Sequence, residues 1–201
     1  IDINKALKHP TWEMGNKISI DSATMINKVY EVIEAKNIFK IPYKKIDILV
    51  HPKSYIHAIV KFKNGLTKII AHDTTMKIPI FNTLYFNTNK TIKTSDLNLH
   101  TLNNLNLIII DSRRYPMIKL LKLLTDKHTL YDTIVVSAND VLVELFLQKK
   151  IKFTEINLKL FKFINDKKFL KYKNIYPKKL NDILNLNKYV RLKVLEKVYK
   201  S

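Results

Sequence analysis

The residues best suited to chemistry crowd into one stretch, from His9 to Glu31 (HPTWEMGNKISIDSATMINKVYE). Asn27 and Glu31 are four apart, so on a helix they share a face one turn from each other, with Lys28 three residues before the carboxylate. An amide, an ammonium and a carboxylate thereby surround one pocket, a set that suits an anion beside a metal ligand. Ser22 is expected where a helix begins, and free backbone N–H groups there favour a phosphate. His9, Trp12 and Met14 precede it on a segment punctuated by Pro10 and Gly15, suited to a mobile aromatic lid. Taken singly, Ser22 reads as a cap, Lys28 with Glu31 as a solvated pair and Trp12 as core. Their conjunction within one short stretch is what carries the reading.

The elements that must position these residues are legible in outline. Lys17–Ile20 is expected as a short strand, followed by a helix that Asp21 or Ser22 caps. Ile26, Val29 and Ile33 recur at the spacing of a buried stripe, and the helix should end near Asn37. Residues 46–50 read as an apolar strand, and Ile56–Lys63 and Leu66–His72 flank Asn64-Gly65 as a hairpin. Residues 84–111, rich in Asn and Thr, read as a connecting arm with one apolar run at 107–110. Amphipathic helices are expected near 114–126, 139–150, 155–167 and 178–200, the second capped by Asn139. The fold class is therefore α+β. A catalytic and connecting α/β portion with a small sheet spans 1–84, an arm spans 85–111 and a carboxyl-terminal helical bundle spans 112–201.

Composition narrows the function classes. The chain has 201 residues, 46% of them hydrophobic, enough to bury a core. Lys or Asn interrupts every apolar run well short of the roughly 18 residues a membrane span needs, so no membrane association is expected. The chain opens without Met and without a signal peptide, and its start reads as the middle of a longer protein. With no Cys, disulfides and thiolate metal sites are excluded, which fits a reducing compartment. Gly15 and Gly65 are the only glycines, whereas glycine-rich nucleotide loops need several. The net charge of +19 comes from Lys spread along the whole chain beside abundant Ile and Asn, as codon bias in an AT-rich genome would produce. Dispersed charge argues against nucleic-acid binding as the main role.

The run His9-Pro-x-Trp-x-Met-Gly-x-Lys-Ile-x-x-Asp-Ser-Ala-Thr-x-x-Asn-Lys-x-x-Glu31 resembles the signature of the 1-deoxy-D-xylulose 5-phosphate reductoisomerases. Supporting matches follow in order: Ile33-Glu34-Ala35-Lys36, His51-Pro52-Lys53-Ser54-x-Ile56-His57, Met76-Lys77-Ile78-Pro79-Ile80, Tyr115-Pro116, Ala138-Asn139-Asp140 and Phe146-Leu147. The resemblance covers essentially the whole chain and is strongest through residue 80.

It implies an NADPH-dependent oxidoreductase and isomerase of non-mevalonate isoprenoid biosynthesis, requiring Mn²⁺ or Mg²⁺. Carried over, Ser22, Asn27 and Lys28 are phosphate and substrate contacts. His9 is a substrate contact and, with Glu31, a catalytic residue; Glu31 is also a substrate contact and the metal ligand. Gly15 is a backbone contact to NADPH, and Trp12 and Met14 form a flap over the sugar-phosphate substrate. The resemblance further implies a homodimer through the 46–72 strands and a bacterial cytoplasm, a plastid being the alternative. It places the NADPH-binding domain, a substrate Ser and two further metal carboxylates ahead of this chain's first residue, so the chain alone is expected to be inactive. The competing readings are a basic RNA-binding module and a degenerate fragment. Three positions depart from the family pattern: Val29 for Gly, Thr74-Thr75 for Pro-Asp, and Val136-Ser137-Ala138-Asn139-Asp140 for Asn-Ala-Ala-Asn-Glu.

Overall fold

A computed structural model describes residues 2–8, 14–96 and 98–199. In chain order the helices are α1 (Ile3–Leu7), α2 (Asn16–Thr24), α3 (Ile26–Phe39), α4 (Lys77–Leu84), α5 (Leu99–Asn103), α6 (Tyr131–Leu147), α7 (Phe153–Ile164), α8 (Lys167–Leu170) and α9 (Leu180–Tyr199). The strands are β1 (Leu49–Val50), β2 (Ile56–Lys61), β3 (Thr67–Ala71) and β4 (Ile108–Ile109). The chain divides into two compact units, Ile1–Asp47 with Asp111–Ser201, and Ile48–Ile110. Residues 14–31 thus share a unit with the helices beyond 110, whereas the sequence groups them with residues 48–84. Among the described residues no helix is long and apolar enough to cross a membrane.

The first unit is organised around α6. Its residues Ile134, Val135, Val141, Leu142, Leu145 and Phe146 are buried on nearly every side, as a helix apolar all round must be. Helices α7, α9 and α2 pack against it, and α3 packs against a 3-10 segment at Pro116–Lys122. Directional contacts fix the arrangement: Tyr131 Oη donates to the Ile164 carbonyl at 3.2 Å, and Asn187 Nδ2 donates to Ser137 Oγ at 2.8 Å. Helix α6 closes with Lys149 left-handed at φ 62, the Lys150 N–H reaching the Leu145 carbonyl and the Lys149 N–H that of Phe146. That position usually takes Gly. In a chain with two glycines, Met25, Lys40, Ser54 and Lys149 adopt positive φ instead, each at some conformational cost.

Several expectations are corrected. Lys17–Ile20 is not a strand but the body of α2, and Asp21 and Ser22 lie inside that helix, so neither caps α3. A period-two reading of Lys-Ile-Ser-Ile failed because Ser19 and Ile20 are both buried, one turn of helix presenting adjacent residues to the core. Asn139 does not cap α6 either. That helix begins eight residues earlier at Tyr131, and Asn139 sits fully buried in its middle. The apolar strand over 46–50 contracts to β1, which pairs antiparallel with β4 from the expected arm. The expected helix near 114–126 is the 3-10 segment.

In the second unit, β2 and β3 form the expected antiparallel hairpin. Gly65 stands at φ 88, its N–H bonded to the Phe62 carbonyl, while the Phe62 N–H bonds the Leu66 carbonyl. This is a type I turn closed by a left-handed glycine bulge, in place of the two-residue turn that Asn-Gly alone suggests.

One half-buried acid makes stability depend on pH. Burial raises Asp132, at the start of α6, from 3.8 to about 6, against the opposing pull of Lys36. The folded state holds the proton more tightly than the unfolded chain, so the stability this group contributes falls as pH rises from about 4 to 6 and stays low above. Asp132→Asn should therefore gain on the order of 1–3 kcal/mol over wild type at pH 7.5, with little gain near pH 4. Urea unfolding of both proteins across that range checks it; a gain that does not grow with pH would refute it.

Candidate anion and metal-contacting site

Helix α2 ends at Thr24, Met25 turns the chain left-handed at φ 65, and α3 starts at once at Ile26. The break aims a second helix from the end of the first. No side chain caps the start of α3, and its first turn carries no acid, an arrangement that favours an anion over a cation there. Asn27 and Lys28 lie in that first turn. The anion-favouring helix start read at Ser22 is therefore four residues later, and Ser22 stands in the last turn of α2, its carbonyl accepting the Met25 N–H at 3.0 Å.

The structure brings Asn27, Lys28 and Glu31 together. Asn27 Nδ2 donates to Glu31 Oε1 at 2.9 Å, and Lys28 Nζ to Glu31 Oε2 at 2.7 Å. Both side chains of the Lys28–Glu31 pair are nearly half exposed, so this contact adds little to stability. Beneath them Val29 is fully buried in the core with Ile26. The bulk that replaces the family's glycine is accommodated by that core, facing away from the three polar side chains one turn apart.

Gly15 lies immediately before α2 with φ −59, an ordinary conformation, and a Cβ there would meet nothing within 4 Å. Its carbonyl accepts from both the N–H and the hydroxyl of Ser19. Met14 is half-buried beside it. His9 and Trp12 lie outside the described residues. In the second unit His57 stacks on His72, ring centres 3.6 Å apart, and Met76-Lys77-Ile78-Pro79-Ile80 opens α4.

Sequence reasoning missed a polar network beneath α2. Asn139 Nδ2 donates to Asp21 Oδ1 at 2.8 Å, and Lys17 Nζ lies 2.6 Å from Asp21 Oδ2 and 3.0 Å from Asp140 Oδ1. Arg191 of α9 continues it to Glu144, its Nη2 at 2.8 and 2.9 Å from the two carboxylate oxygens. Burial alone would lower Lys17, but the Asp21 and Asp140 contacts outweigh it and hold the ammonium above its ordinary value. Burial, then the charges of Asp21 and Asp140, push the neighbouring Tyr30 hydroxyl well above 10, so it stays protonated. The one available signal was a polar pair, Asn139-Asp140, inside an otherwise apolar run.

Among the described residues no three His, Cys, Asp or Glu side chains cluster closely enough to hold a metal ion. The Glu31 carboxylate has the hard oxygen chemistry that suits Mg²⁺ or Mn²⁺.

Comparison with known proteins gives the family. The family described as "DXP reductoisomerase C-terminal domain" matches residues 73–193, and "1-deoxy-D-xylulose 5-phosphate reductoisomerase C-terminal domain" matches residues 1–39. A relative from Pelagibacter ubique, named 1-deoxy-D-xylulose 5-phosphate reductoisomerase, is 56% identical over 96% of this chain and 50% of its own length. One from Sulfurihydrogenibium, of the same name, is 40% identical over 78% of this chain and 42% of its own. A crystal structure of a DOX-P reductoisomerase in complex with NADPH, fosmidomycin and magnesium superimposes with a TM-score of 0.87 at 30% identity, covering 99% of this chain and 50% of that one. The Zymomonas mobilis enzyme in complex with NADPH gives 0.82 at 30% identity, over 98% and 50%. The chain spans about half the length of the curated relatives it matches. With one matched domain covering more than half of its residues, the chain belongs to the DXP reductoisomerase family, in its carboxyl-terminal domain.

Proposed function

We propose that this chain supplies the phosphate-binding residues and one metal ligand of an enzyme that converts 1-deoxy-D-xylulose 5-phosphate to 2-C-methyl-D-erythritol 4-phosphate with NADPH. The observation that carries the reading is the joining of Asn27, Lys28 and Glu31 at the uncapped start of α3. Lys28, Asn27 and Ser22 hold the non-reacting phosphate, which fixes the far end of the sugar relative to the reacting carbons. Glu31 contributes a carboxylate to a Mn²⁺ or Mg²⁺ site, where the bound cation supplies Lewis-acid polarisation of substrate oxygens. His9 contacts the substrate, and Trp12 and Met14 form the flap that excludes water. The open backbone at Gly15 supports a close approach by NADPH.

The sheet supports a homodimer. Ile59, Val60, Ile69 and Ile70 are all exposed on β2 and β3, and an isolated two-stranded hairpin with such faces is marginal in water. A second copy laid on one face would cover the cross-strand pair Ile59 and Ile69. A bacterial cytoplasm is the compartment in keeping with the bacterial relatives.

Because the described residues hold no group of three metal-ligating side chains and the sequence has two glycines, residues 1–201 alone should bind Mn²⁺ weakly, in about the millimolar range, and should not oxidise NADPH. Joined to the amino-terminal half of the Pelagibacter ubique relative, the chain should give an active, metal-dependent enzyme. Isothermal titration and NADPH absorbance test both statements. NADPH oxidation by the chain alone, or a folded but inert chimera, would count against the proposal.

A further inference from the structure

We propose that Asn139 is a positioning residue for the phosphate-binding part of the site, acting through Asp21 on the turn that aims α3. The inference rests on the functional reading above. Asn139 is fully buried, and its amide donates to Asp21, itself 2% exposed, across 118 residues of sequence. Asp21 is the residue before Ser22, and its carbonyl accepts the Thr24 hydroxyl at 3.2 Å. The left-handed Met25 and the first turn of α3 follow directly. Apolar contacts of Ile20 and Ile26 hold α2 and α3 against the core but are non-directional and tolerate rotation of a helix about its axis, and the Lys17–Asp140 pair from α2 to α6 is partly solvated. A hydrogen bond at 2.8 Å to a carboxylate already fixed on its other oxygen by Lys17 does not tolerate that rotation. Rotation of α2 would swing Ser22 and the Met25 turn, and with them Asn27 and Lys28. The buried amide therefore sets the direction of the site without touching what binds there.

The test uses the 201-residue chain with inorganic phosphate as probe, affinity being read from the amide shifts of Ser22, Asn27 and Lys28. Asn139→Asp keeps the shape and sets a carboxylate against Asp21; Asn139→Ala removes the donor without adding charge. Ile156→Val, in the core of α7, serves as the control for general loosening. Both Asn139 variants should weaken phosphate binding by about tenfold or more, the scale seen when a supporting contact behind a ligand is lost. The control should leave it unchanged. The exchanged pair Asp21→Asn with Asn139→Asp should recover most of the affinity, because Asn at 21 can donate to the new carboxylate and still accept from Lys17. Affinities in the Asn139 variants no weaker than the control would overturn the proposal, as would failure of the exchanged pair to recover while remaining folded. If the wild-type chain shows no phosphate response at those amides, the phosphate reading fails separately. Hydrogen exchange then decides the positioning: selective loss of protection over residues 20–28 in Asn139→Asp supports it, and unchanged protection there overturns it.

Discussion

In the active chimera with the Pelagibacter ubique relative, Lys28→Ala is expected to lower kcat/KM by about 30- to 1000-fold, equivalent to roughly 2–4 kcal/mol of lost transition-state stabilisation. Lys28 lies in the first turn of α3, where its ammonium adds a full charge to the partial charge of the helix end. A phosphate held there reacts with nothing. Its binding energy orients the remainder of the substrate, so its loss should raise KM and lower kcat together. Stability should change by less than about 0.5 kcal/mol, because the pair that Lys28 forms with Glu31 is largely solvated. A large stability loss with normal kinetics would assign Lys28 to the fold and remove it from the site.

How much of this was legible beforehand differs by residue. The Asn27–Lys28–Glu31 grouping follows from helical spacing alone, and the structure shows those contacts. The hairpin was readable because Gly65 must take a left-handed conformation that few other residues accept. The boundary between α2 and α3 was not readable. Met25, not Gly or Asn, makes the left-handed break, so nothing in its local chemistry marks the end of one helix and the start of another. Asn139 misled for the opposite reason. Asn is favoured at helix starts and so reads as a cap, but its amide N–H donates to Asp21, a partner that only tertiary structure brings near. Local signals located chemistry carried within one helix, while chemistry shared between α2 and α6 depended on the fold.

Glu31→Gln in the same chimera should fail in a way that Mn²⁺ repairs. Losing the carboxylate removes a charge and a strong oxygen ligand from a hard-cation site, so the Mn²⁺ needed for half-maximal rate should rise by at least about 10- to 100-fold, and excess Mn²⁺ should restore part of kcat. The two variants are coupled through one contact. The Lys28 ammonium lies 2.7 Å from Glu31 Oε2 and the Asn27 amide 2.9 Å from Oε1, so a cation binding Glu31 must compete with its own helix neighbours. Removing Lys28 frees one carboxylate oxygen and takes away a repelling charge. Lys28→Ala should therefore leave the Mn²⁺ requirement unchanged or reduce it, opposite in sign to Glu31→Gln, while neutralising Glu31 frees Lys28 for phosphate and should leave substrate KM at saturating metal near that of wild type. Initial rates over a grid of substrate and Mn²⁺ concentrations separate the two constants. If both variants shift the Mn²⁺ requirement in the same direction, Glu31 and Lys28 do not divide the work between metal and phosphate as assigned.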